Sequence, residues 1–260
     1  MSPGDSERID VCGLRFSKIG MADLLTAVEG GMETRQLRLS LAATDSVVLA
    51  ARDSEFRRIL NSFDYLLADG VPVVWAARFL GTPLPERVAG PELFEQLLDL
   101  CRRKHHSVFF FGSDEETVRR VRRRISADVR IAGHFCPQVH QNFDCAESVS
   151  EINRAEPDFL FVVLGAPKQD RWIHDNGDAL RARVIVPIGA AFDWYAGRFV
   201  RAPKWMQRCG LEWVGRLAQN PRRLWRRYAR DLLFPLLVLR HWARPSMSDG
   251  GNPPAPTSPC

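Results

Sequence analysis

Asp69 occupies the position at which a carboxylate of this sequence is best placed to do chemistry. It directly follows the apolar run of residues 65–68 and precedes Gly70. Ligands of open parallel sheets bind beyond the carboxyl ends of the strands, so a carboxylate there can take a proton from a bound hydroxyl group as a general base. An aspartate before Gly70, Val71 and Pro72 also suits a helix N-cap, and the sequence leaves both roles open.

Three other apolar runs also end in small or polar residues. Glycine lets a ligand approach the backbone closely, and the N-terminus of a following helix offers N–H groups to a phosphate. The strand ends together predict a site for a nucleotide or another phosphorylated ligand, although Asp193 could instead cap a turn. The candidate binding residues are Gly70, Gly112, Ser113, Gly165, Pro167, Lys168, Gln169, Gly189 and Asp193.

Several familiar ligand-binding patterns are missing. Neither G-x-G-x-x-G nor G-x-x-x-x-G-K-[ST] occurs, which disfavours a dinucleotide oxidoreductase and a nucleoside triphosphatase. No D-x-D pair occurs, so the usual carboxylates for a metal–nucleotide complex are absent. His134, Cys136, His140 and Cys145 cluster, but their spacing matches no common zinc pattern. We therefore expect a polar loop there, and an active site without metal or cofactor.

The C-terminal part of the chain is strongly basic. Residues 198–244 contain twelve arginines and lysines against two acidic residues, a net charge of +10, whereas the rest of the chain carries −5. Four of the seven tryptophans lie in the same segment. This composition predicts an anionic partner, and Arg and Trp mixed with Leu and Phe suit the headgroup layer of a membrane. A solvated basic face over an ordinary core is the alternative.

The overall composition excludes several classes of protein. With 260 residues, 45% hydrophobic and 26% charged, the chain can bury a real core and is not wholly disordered. No apolar run approaches the roughly 20 residues needed to cross a bilayer, and the first residues lack the layout of a signal peptide. Six scattered cysteines do not suggest a disulfide framework. We expect a protein of the reducing cytoplasm, soluble or attached to the membrane surface.

Short apolar runs that alternate with helical patterns predict an α/β protein. The expected fold is a Rossmann-like, mostly parallel sheet flanked by helices over residues 1–197. A basic helical appendage that associates with the membrane follows over residues 198–244, and a disordered tail over residues 245–260. The predicted strands are residues 9–11 and 14–16 as a hairpin, then 37–41, 65–68, 108–111, 129–131, 159–164 and 184–188. The best-defined predicted helices are residues 21–29, 47–61, 91–103 and 114–125.

Three arginines of the basic segment are candidates for holding a diphosphate. On one continuous helix, at about 100° per residue, Arg216, Arg223 and Arg226 would fall within roughly 80° of one another. Guanidinium groups on one stripe can bind a diphosphate through paired hydrogen bonds. A helix break at Asn220-Pro221 would remove this alignment.

The chain resembles the WecG/TagA/CpsF glycosyltransferases, glycosyltransferase family twenty-six, over nearly all of residues 8–242. The resemblance rests on the combination and order of short motifs, each of which would be weak alone. These motifs are residues 67–70 (LADG), 85–90 (PERVAG), 110–112 (FFG), 164–169 (LGAPKQ), 202–206 (APKWM), 210–213 (GLEW), 216–217 (RL) and 221–223 (PRR).

The resemblance implies a metal-independent, inverting transferase on the cytoplasmic face of the membrane. Members move a sugar, commonly N-acetylmannosamine or its uronic acid, from UDP to a sugar on undecaprenyl diphosphate. By resemblance, Asp69 is the catalytic base, Arg87 an active-site arginine and Gln169 the glutamine of a G-x-P-x-Q-E motif. The family's appendage helps to place the protein on the membrane, and its docking completes the pocket of a monomer, while free members self-associate. The appendage arginines that would hold diphosphate are Arg216, Arg223 and Arg226.

The sequence departs from the family pattern at two places. The family usually carries T-x-N after the second main strand, whereas this chain has Leu41-Ala42-Ala43. Thr44 and Asp45 follow directly, and we include them among the candidate substrate-binding residues. Asp170 replaces the usual glutamate, which shortens that carboxylate by one methylene.

The predicted function is transfer of a sugar, N-acetylmannosamine-like or another hexose, from a UDP-sugar to a polyprenyl-diphosphate-linked sugar. One alternative is a catalytically silent module that binds a nucleotide sugar or a lipid diphosphate, with Leu41 and Ala43 marking a decayed site. The other is a nucleic-acid binder, but no recognisable nucleic-acid-binding module is present and the apolar run of residues 232–239 fits lipid better. We therefore expect a membrane surface as partner, self-association, and no nucleic acid.

Overall fold

The apolar runs of the sequence form a parallel sheet. The computed structural model describes residues 7–137, 145–219 and 221–243. Two short strands near its beginning, β1 (Arg8–Val11) and β2 (Leu14–Ser17), pair as an antiparallel hairpin that forms a sheet of its own. The main sheet of the described residues has six strands, β3 (Leu37–Ala42), β4 (Tyr65–Ala68), β5 (Ser107–Gly112), β6 (Arg130–Phe135), β7 (Phe159–Val163) and β8 (Val184–Pro187).

All pairings within the main sheet are parallel, in the order β4-β3-β8-β7-β5-β6. Parallel strands are covered on both faces, which is why they appear in the sequence as continuous apolar runs. Phe110 and Phe161 face one core cluster, whereas Phe111 and Val162 face the cluster on the other side of the sheet. This alternation is the period of two that a strand requires. The predicted α/β fold is confirmed.

Helices cover both faces of the sheet and follow its strands. In chain order they are α1 (Met21–Gly31), α2 (Thr44–Arg52), α3 (Ser54–Asn61), α4 (Val71–Phe79), α5 (Gly90–Lys104), α6 (Glu115–Arg124), α7 (Cys145–Ala155), α8 (Lys168–Asn176) and α9 (Ala190–Tyr195). A short 3₁₀ turn, Gly177–Ala179, follows α8.

The predicted single helix over residues 47–61 is wrong. The structure has two helices, α2 and α3, separated by Asp53 in an extended conformation. The Asp53 carboxylate accepts a hydrogen bond of 2.9 Å from the backbone N–H of Phe56, which starts α3 as an N-cap. Apolar periodicity runs through both helices because both pack on the core, so it conceals the break.

The basic C-terminal segment is also helical. Its helices are α10 (Lys204–Arg208), α11 (Glu212–Gln219), α12 (Pro221–Asp231) and α13 (Phe234–Trp242). The rings of Trp213 on α11 and Tyr228 on α12 lie 5.4 Å apart, whereas residues 15 positions apart on one continuous helix would be about 22 Å apart along its axis. The alignment of Arg216 with Arg223 and Arg226 on one continuous helix is therefore wrong. The side chains of these three arginines lie outside the described residues, as do the predicted tail and His140.

Helix α13 has one face on the protein and one face in solvent. Phe234 and Val238 are buried in a cluster that includes residues of α2, α4 and the β1–β2 hairpin. We use the name apolar strip for the exposed side chains of this region. They are Leu232, Leu236, Leu239 and Trp242, with Trp75 and Phe79 of α4. The strip is continuous at the rings of Phe79 and Trp242, whose centroids lie 6.0 Å apart. No described helix has both the length and the apolar character needed to span a bilayer.

Candidate active site

Two adjoining cavities lie beyond the carboxyl ends of the strands. The first, here called the sheet-edge cavity, has a volume of about 500 Å³ and is lined by the turns that follow β3, β4, β5, β7 and β8. The second, the helix-side cavity, has about 360 Å³ and lies between the β4–α4 turn and residues of the C-terminal helices. Asp69 lines both cavities.

Asp69 is held at this shared wall by a backbone donor. Its Oδ1 atom accepts a hydrogen bond of 2.9 Å from the N–H of Gly90, the first residue of α5. Helix α4, which follows Asp69, has Gly70 at its N-cap and no side-chain cap bond. The N-cap position of α4 is therefore occupied by Gly70, one residue after Asp69. The Asp69 carboxylate contacts the start of α5, 21 residues further along the chain.

The glycine turns after β7 and β8 are joined by Gln169. Its Oε1 atom accepts a hydrogen bond of 3.0 Å from the N–H of Gly165. The same oxygen lies 3.2 Å from the position that a Cβ would take on Gly189. Gly189 has a φ of +42°, a conformation that side chains disfavour. These three predicted residues lie together in the sheet-edge cavity, with Gln169 as the link between two strand ends.

The turn after β5 contributes one of its two predicted residues directly. Ser113 lines the sheet-edge cavity. At Gly112, with a φ of +103°, an added Cβ would lie 2.5 Å from the carbonyl oxygen of Val163. Gly112 thus permits the close approach of β5 and β7. Neither cavity is lined by Gly112, or by the predicted residues Pro167 and Lys168.

The charged groups around the sheet-edge cavity are mostly acidic. Asp45, Asp69, Asp114 and Asp193 line it, with Arg198 as the described basic residue among its lining. Arg198 Nη1 donates a hydrogen bond of 2.5 Å to Asp114 Oδ2 and lies 3.7 Å from Asp193 Oδ1. The cation therefore bridges the rims of the β5 and β8 turns. Within the described lining, an anion in this cavity would contact the guanidinium of Arg198 and backbone N–H groups.

Arg87 lies in the helix-side cavity, beside residues of the C-terminal segment. Its Nη1 atom donates a hydrogen bond of 3.2 Å to Glu212 Oε2 of α11. The predicted residues Thr44, Asp45 and Gly70 line the same cavity. Most of the remaining wall is apolar or aromatic and includes Trp194, Trp213, Tyr228, Leu232 and Phe234.

The positions that depart from the family pattern lie in the lining of the sheet-edge cavity or next to it. Leu41 and Ala43 line the sheet-edge cavity, and Ala43 also lines the helix-side cavity. Asp170 is buried behind the cavity wall, where its Oδ1 accepts a hydrogen bond of 2.7 Å from Ser40 Oγ. Burial raises the pKa of Asp170 to about 7, against the lowering effect of the Ser40 hydrogen bond.

A cluster of possible metal ligands lies elsewhere. Within the described residues, one group brings three such donor atoms within 4.8 Å of one another, namely Glu115, His134 and Cys136. His134 Nε2 lies 3.0 Å from Glu115 Oε2. Burial and the neighbouring carboxylate of Glu115 raise the pKa of the Cys136 thiol to about 12. None of the three lines either cavity, so the carboxylates of the cavities do not form such a group.

Sequence reasoning missed several residues of these cavities. Trp194, Arg198 and Glu212 line one or both of them, but none was a candidate site residue. Arg198 and Glu212 entered only as charges of the basic segment. The Gly-Leu-Glu-Trp motif at residues 210–213 was a signal that could have drawn attention to Glu212.

Parallel strands whose carboxyl ends open into polar cavities define an α/β protein with its ligand site at the sheet edge. The comparisons with known proteins give its family. Residues 9–248 match the family model described as glycosyl transferase WecG/TagA/CpsF family. The chain belongs to this family, and it is a glycosyltransferase. The expected resemblance is confirmed.

Three curated relatives carry the name N-acetylglucosaminyldiphosphoundecaprenol N-acetyl-beta-D-mannosaminyltransferase. The protein from Bacillus subtilis (strain 168) is 34% identical over 194 residues, which is 74% of each chain. The protein from Bacillus spizizenii (strain ATCC 23059 / NRRL B-14472 / W23) is 36% identical over 196 residues, again 74% of each chain. The protein from Staphylococcus aureus (strain MW2) is 25% identical over 244 residues, 91% of this chain and 92% of the relative.

Proposed function

We propose that this chain transfers a sugar from a UDP-sugar to a sugar carried on a polyprenyl diphosphate, with inversion and without a metal ion. The donor sugar is N-acetylmannosamine-like or another hexose. The names of the relatives support an acceptor on a diphosphate lipid and transfer of N-acetylmannosamine. The product is an intermediate of cell-surface polysaccharide synthesis.

One observation carries this proposal: Asp69 lies in the wall shared by two cavities. A transferase must hold a donor and an acceptor with the reacting atoms between them. The sheet-edge cavity, with the turns at Gly165 and Gly189, suits the nucleotide diphosphate of the donor. The helix-side cavity, with its aromatic wall and Arg87, suits a sugar attached to a lipid diphosphate.

The chemistry follows from this arrangement. Asp69 takes the proton of the acceptor hydroxyl as that oxygen attacks the anomeric carbon of the donor sugar. The new carbon–oxygen bond forms on the face opposite to UDP, and the bond from the anomeric carbon to the diphosphate oxygen breaks. Inversion results from this single displacement. UDP leaves with the bonding electron pair, and the proton remains on Asp69 until solvent takes it.

The departing diphosphate requires positive charge or N–H donors. Arg198 and the backbone of the glycine turns are among the donors that line the sheet-edge cavity. We assign Arg216 on α11 and Arg223 and Arg226 on α12, which belong to helices that border the helix-side cavity, to the diphosphate of the lipid-linked acceptor. The scheme assigns no role to a metal ion; among the described residues, the cavity carboxylates do not form a group of three close metal ligands.

The site of action in this proposal is the inner face of the cytoplasmic membrane. The apolar strip exposes Leu232 at 75%, Trp242 at 63% and Leu236 at 57%. Arginine, tryptophan and leucine side chains of this kind bind well at the boundary between headgroups and acyl chains. The partner is therefore a lipid surface in preference to nucleic acid.

A donor panel tests the proposed function. The full-length protein is incubated with a set of UDP-sugars and a synthetic diphospholipid-linked N-acetylglucosamine, with and without EDTA, and the product mass and released UDP are measured. We expect one donor to be used and turnover to be unchanged by EDTA. Loss of turnover in EDTA, restored by a divalent cation, would remove metal independence.

A specific observation favours a second candidate function. Leu41 and Ala43 place apolar side chains beside Asp69, where a hydroxyl and an amide would otherwise bind the donor sugar. A catalytically silent module that binds a nucleotide sugar or a lipid diphosphate would fit this wall. Binding of UDP with no product and no UDP release from any donor of the panel would favour that function.

A further inference from the structure

Arg201 occupies an unusual position beside the helix-side cavity. It lies between α9 and α10, and its Nη2 atom donates hydrogen bonds of 2.7 and 2.9 Å to the two carboxylate oxygens of Glu92. Its Nε atom donates a third, of 3.1 Å, to Glu212 Oε1. The guanidinium also lies over the ring of Trp194, 5.7 Å from its centroid. Arg201 is thus fixed on three sides.

Arg87 contacts the same two carboxylates, but at longer distances than Arg201 does. Its Nη1 donates the 3.2 Å hydrogen bond to Glu212 Oε2, and its Nη2 lies 3.7 Å from Glu92 Oε1. Two guanidiniums and two carboxylates therefore form one group with no net charge. Arg201 makes three short hydrogen bonds in this group and Arg87 makes one.

This division matters because a guanidinium has five N–H donors, and two carboxylates can occupy most of them. The side chain of Arg87 is 19% exposed and that of Glu212 is 16% exposed, so their charges are only partly screened by water. A guanidinium that balanced both carboxylates alone would have little charge and few donors left for a ligand. Arg201 makes most of the hydrogen bonds to Glu92 and Glu212, so it neutralises most of their charge.

We propose that Arg201 is a positioning residue for Arg87. By neutralising Glu92 and Glu212, it leaves the charge and the remaining N–H groups of Arg87 available to an anionic ligand in the helix-side cavity. The inference rests on the proposed function for the identity of that ligand, the diphosphate of the lipid-linked acceptor. Arg201 itself acts through Arg87 and is not a residue of the lining of either cavity.

The test depends on rescue by a second substitution. In Arg201→Ala, Arg87 is the remaining close basic partner of the two carboxylates among the described residues, so we expect the KM for the lipid-linked acceptor to rise by about tenfold or more. The KM for the UDP-sugar is expected to stay within about twofold. In Arg201→Ala/Glu92→Gln one of the two carboxylates that compete for Arg87 is neutral, so we expect the KM for the acceptor to return most of the way to the wild-type value.

A purely structural role for Arg201 would give a different result. The hydrogen bonds that Arg201 donates to Glu92 are missing from both variants, so damage to packing would persist in the double variant. Thermal unfolding of each variant separates folding from binding. Arg181→Ala is the matched control, because Arg181 is exposed and pairs only with Glu156 among the described residues, and it should leave both KM values unchanged.

A second readout separates this inference from the proposed function. Binding of inorganic pyrophosphate is measured by calorimetry in the presence of saturating UDP, which blocks the donor site. Weaker binding in Arg201→Ala and recovery in the double variant would support the inference even if no sugar transfer is found. Absence of pyrophosphate binding to the wild type, an unchanged acceptor KM in Arg201→Ala, or no recovery in the double variant would overturn it.

Discussion

The backbone N–H of Gly90 donates a hydrogen bond of 2.9 Å to Oδ1 of Asp69. Gly90 is the first residue of the 15-residue helix α5, and the N-terminus of a helix attracts negative charge. The contact therefore fixes the carboxylate at the wall between the two cavities, where a general base is needed in the proposed reaction.

Replacing Asp69 with asparagine should separate catalysis from folding. The amide oxygen of Asn can still accept the Gly90 hydrogen bond, so we expect the midpoint of thermal unfolding to change by no more than a few degrees. Because the amide cannot take a proton, turnover should fall by roughly 100- to 10,000-fold. UDP release and product mass measure the loss, and an Asn variant with full turnover would remove Asp69 as the base.

The buried carboxylate of Asp170 should make stability depend on pH. Its pKa is about 7 in the folded chain, against an ordinary value of 3.8. Below pH 4 both states hold the proton, so there is no effect. Between about pH 4 and 7 only the unfolded chain loses the proton, so the free energy of unfolding falls as the pH rises. Above pH 7 both states have lost the proton, so the reduction in the free energy of unfolding no longer changes with pH.

Asp170→Asn removes this deficit and keeps an acceptor for Ser40. We expect it to be more stable than the wild type at pH 8 by on the order of 1–4 kcal/mol, with a smaller gain at pH 4.5. Urea unfolding at both pH values checks this. Asp175→Asn, an exposed change on the same helix, should show no such trend, and an equal gain at both pH values would contradict the buried charge.

The arginines of α12 should matter more for the acceptor than for the donor. We expect Arg223→Glu/Arg226→Glu to raise the KM for the lipid-linked acceptor by about tenfold or more, because a repulsive charge replaces a diphosphate contact. The affinity for UDP, measured by calorimetry, should change far less. Arg122→Glu/Arg123→Glu, on the exposed part of α6, is the control, because it changes the net charge of the protein by the same amount as Arg223→Glu/Arg226→Glu. Equal losses for donor and acceptor would argue against an acceptor role.

The apolar strip should determine binding to lipid vesicles. Leu236 and Leu239 are 57% and 50% exposed on α13, while Phe234 and Val238 hold the helix to the core. Leu236→Ser/Leu239→Ser should therefore reduce partitioning into anionic vesicles by about tenfold or more with little change in unfolding. Val200→Ser, at a residue that is 80% exposed outside the strip, serves as control. Unchanged partitioning, or tight DNA binding at moderate salt, would contradict a lipid partner.

The sheet could be predicted because its strands are buried on both faces. Such strands are continuous apolar runs, and their ends are marked by Asp69, Gly112, Gly165 and Gly189. Since parallel strands end at one edge, the sequence also predicted that several of these residues meet there. Asp69, Gly165 and Gly189 line the sheet-edge cavity, while Gly112 serves the packing of β5 on β7.

The contacts of the C-terminal segment could not be predicted in the same way. Arg87 and Glu212 are 125 residues apart, and no sequence pattern around either residue indicates that the two are in contact. Charge counting treated Glu212 as one of two acidic residues in a basic segment, whereas the structure places it between two guanidiniums. The helix break at Asp53 was concealed, and the one between α11 and α12 was left open, because apolar and basic periodicity continues across both.

The two faces of α13 have a consequence for the protein in aqueous buffer. Phe234 and Val238 keep the helix on the core, so the outward leucines and Trp242 stay in contact with water when no bilayer is present. Two copies can shield these side chains by pairing strip to strip. Sedimentation should therefore detect a species that becomes smaller when a mild detergent is added, and whose fraction grows with protein concentration. The oligomeric state measured in solution would then depend on whether water or detergent surrounds the exposed face of α13.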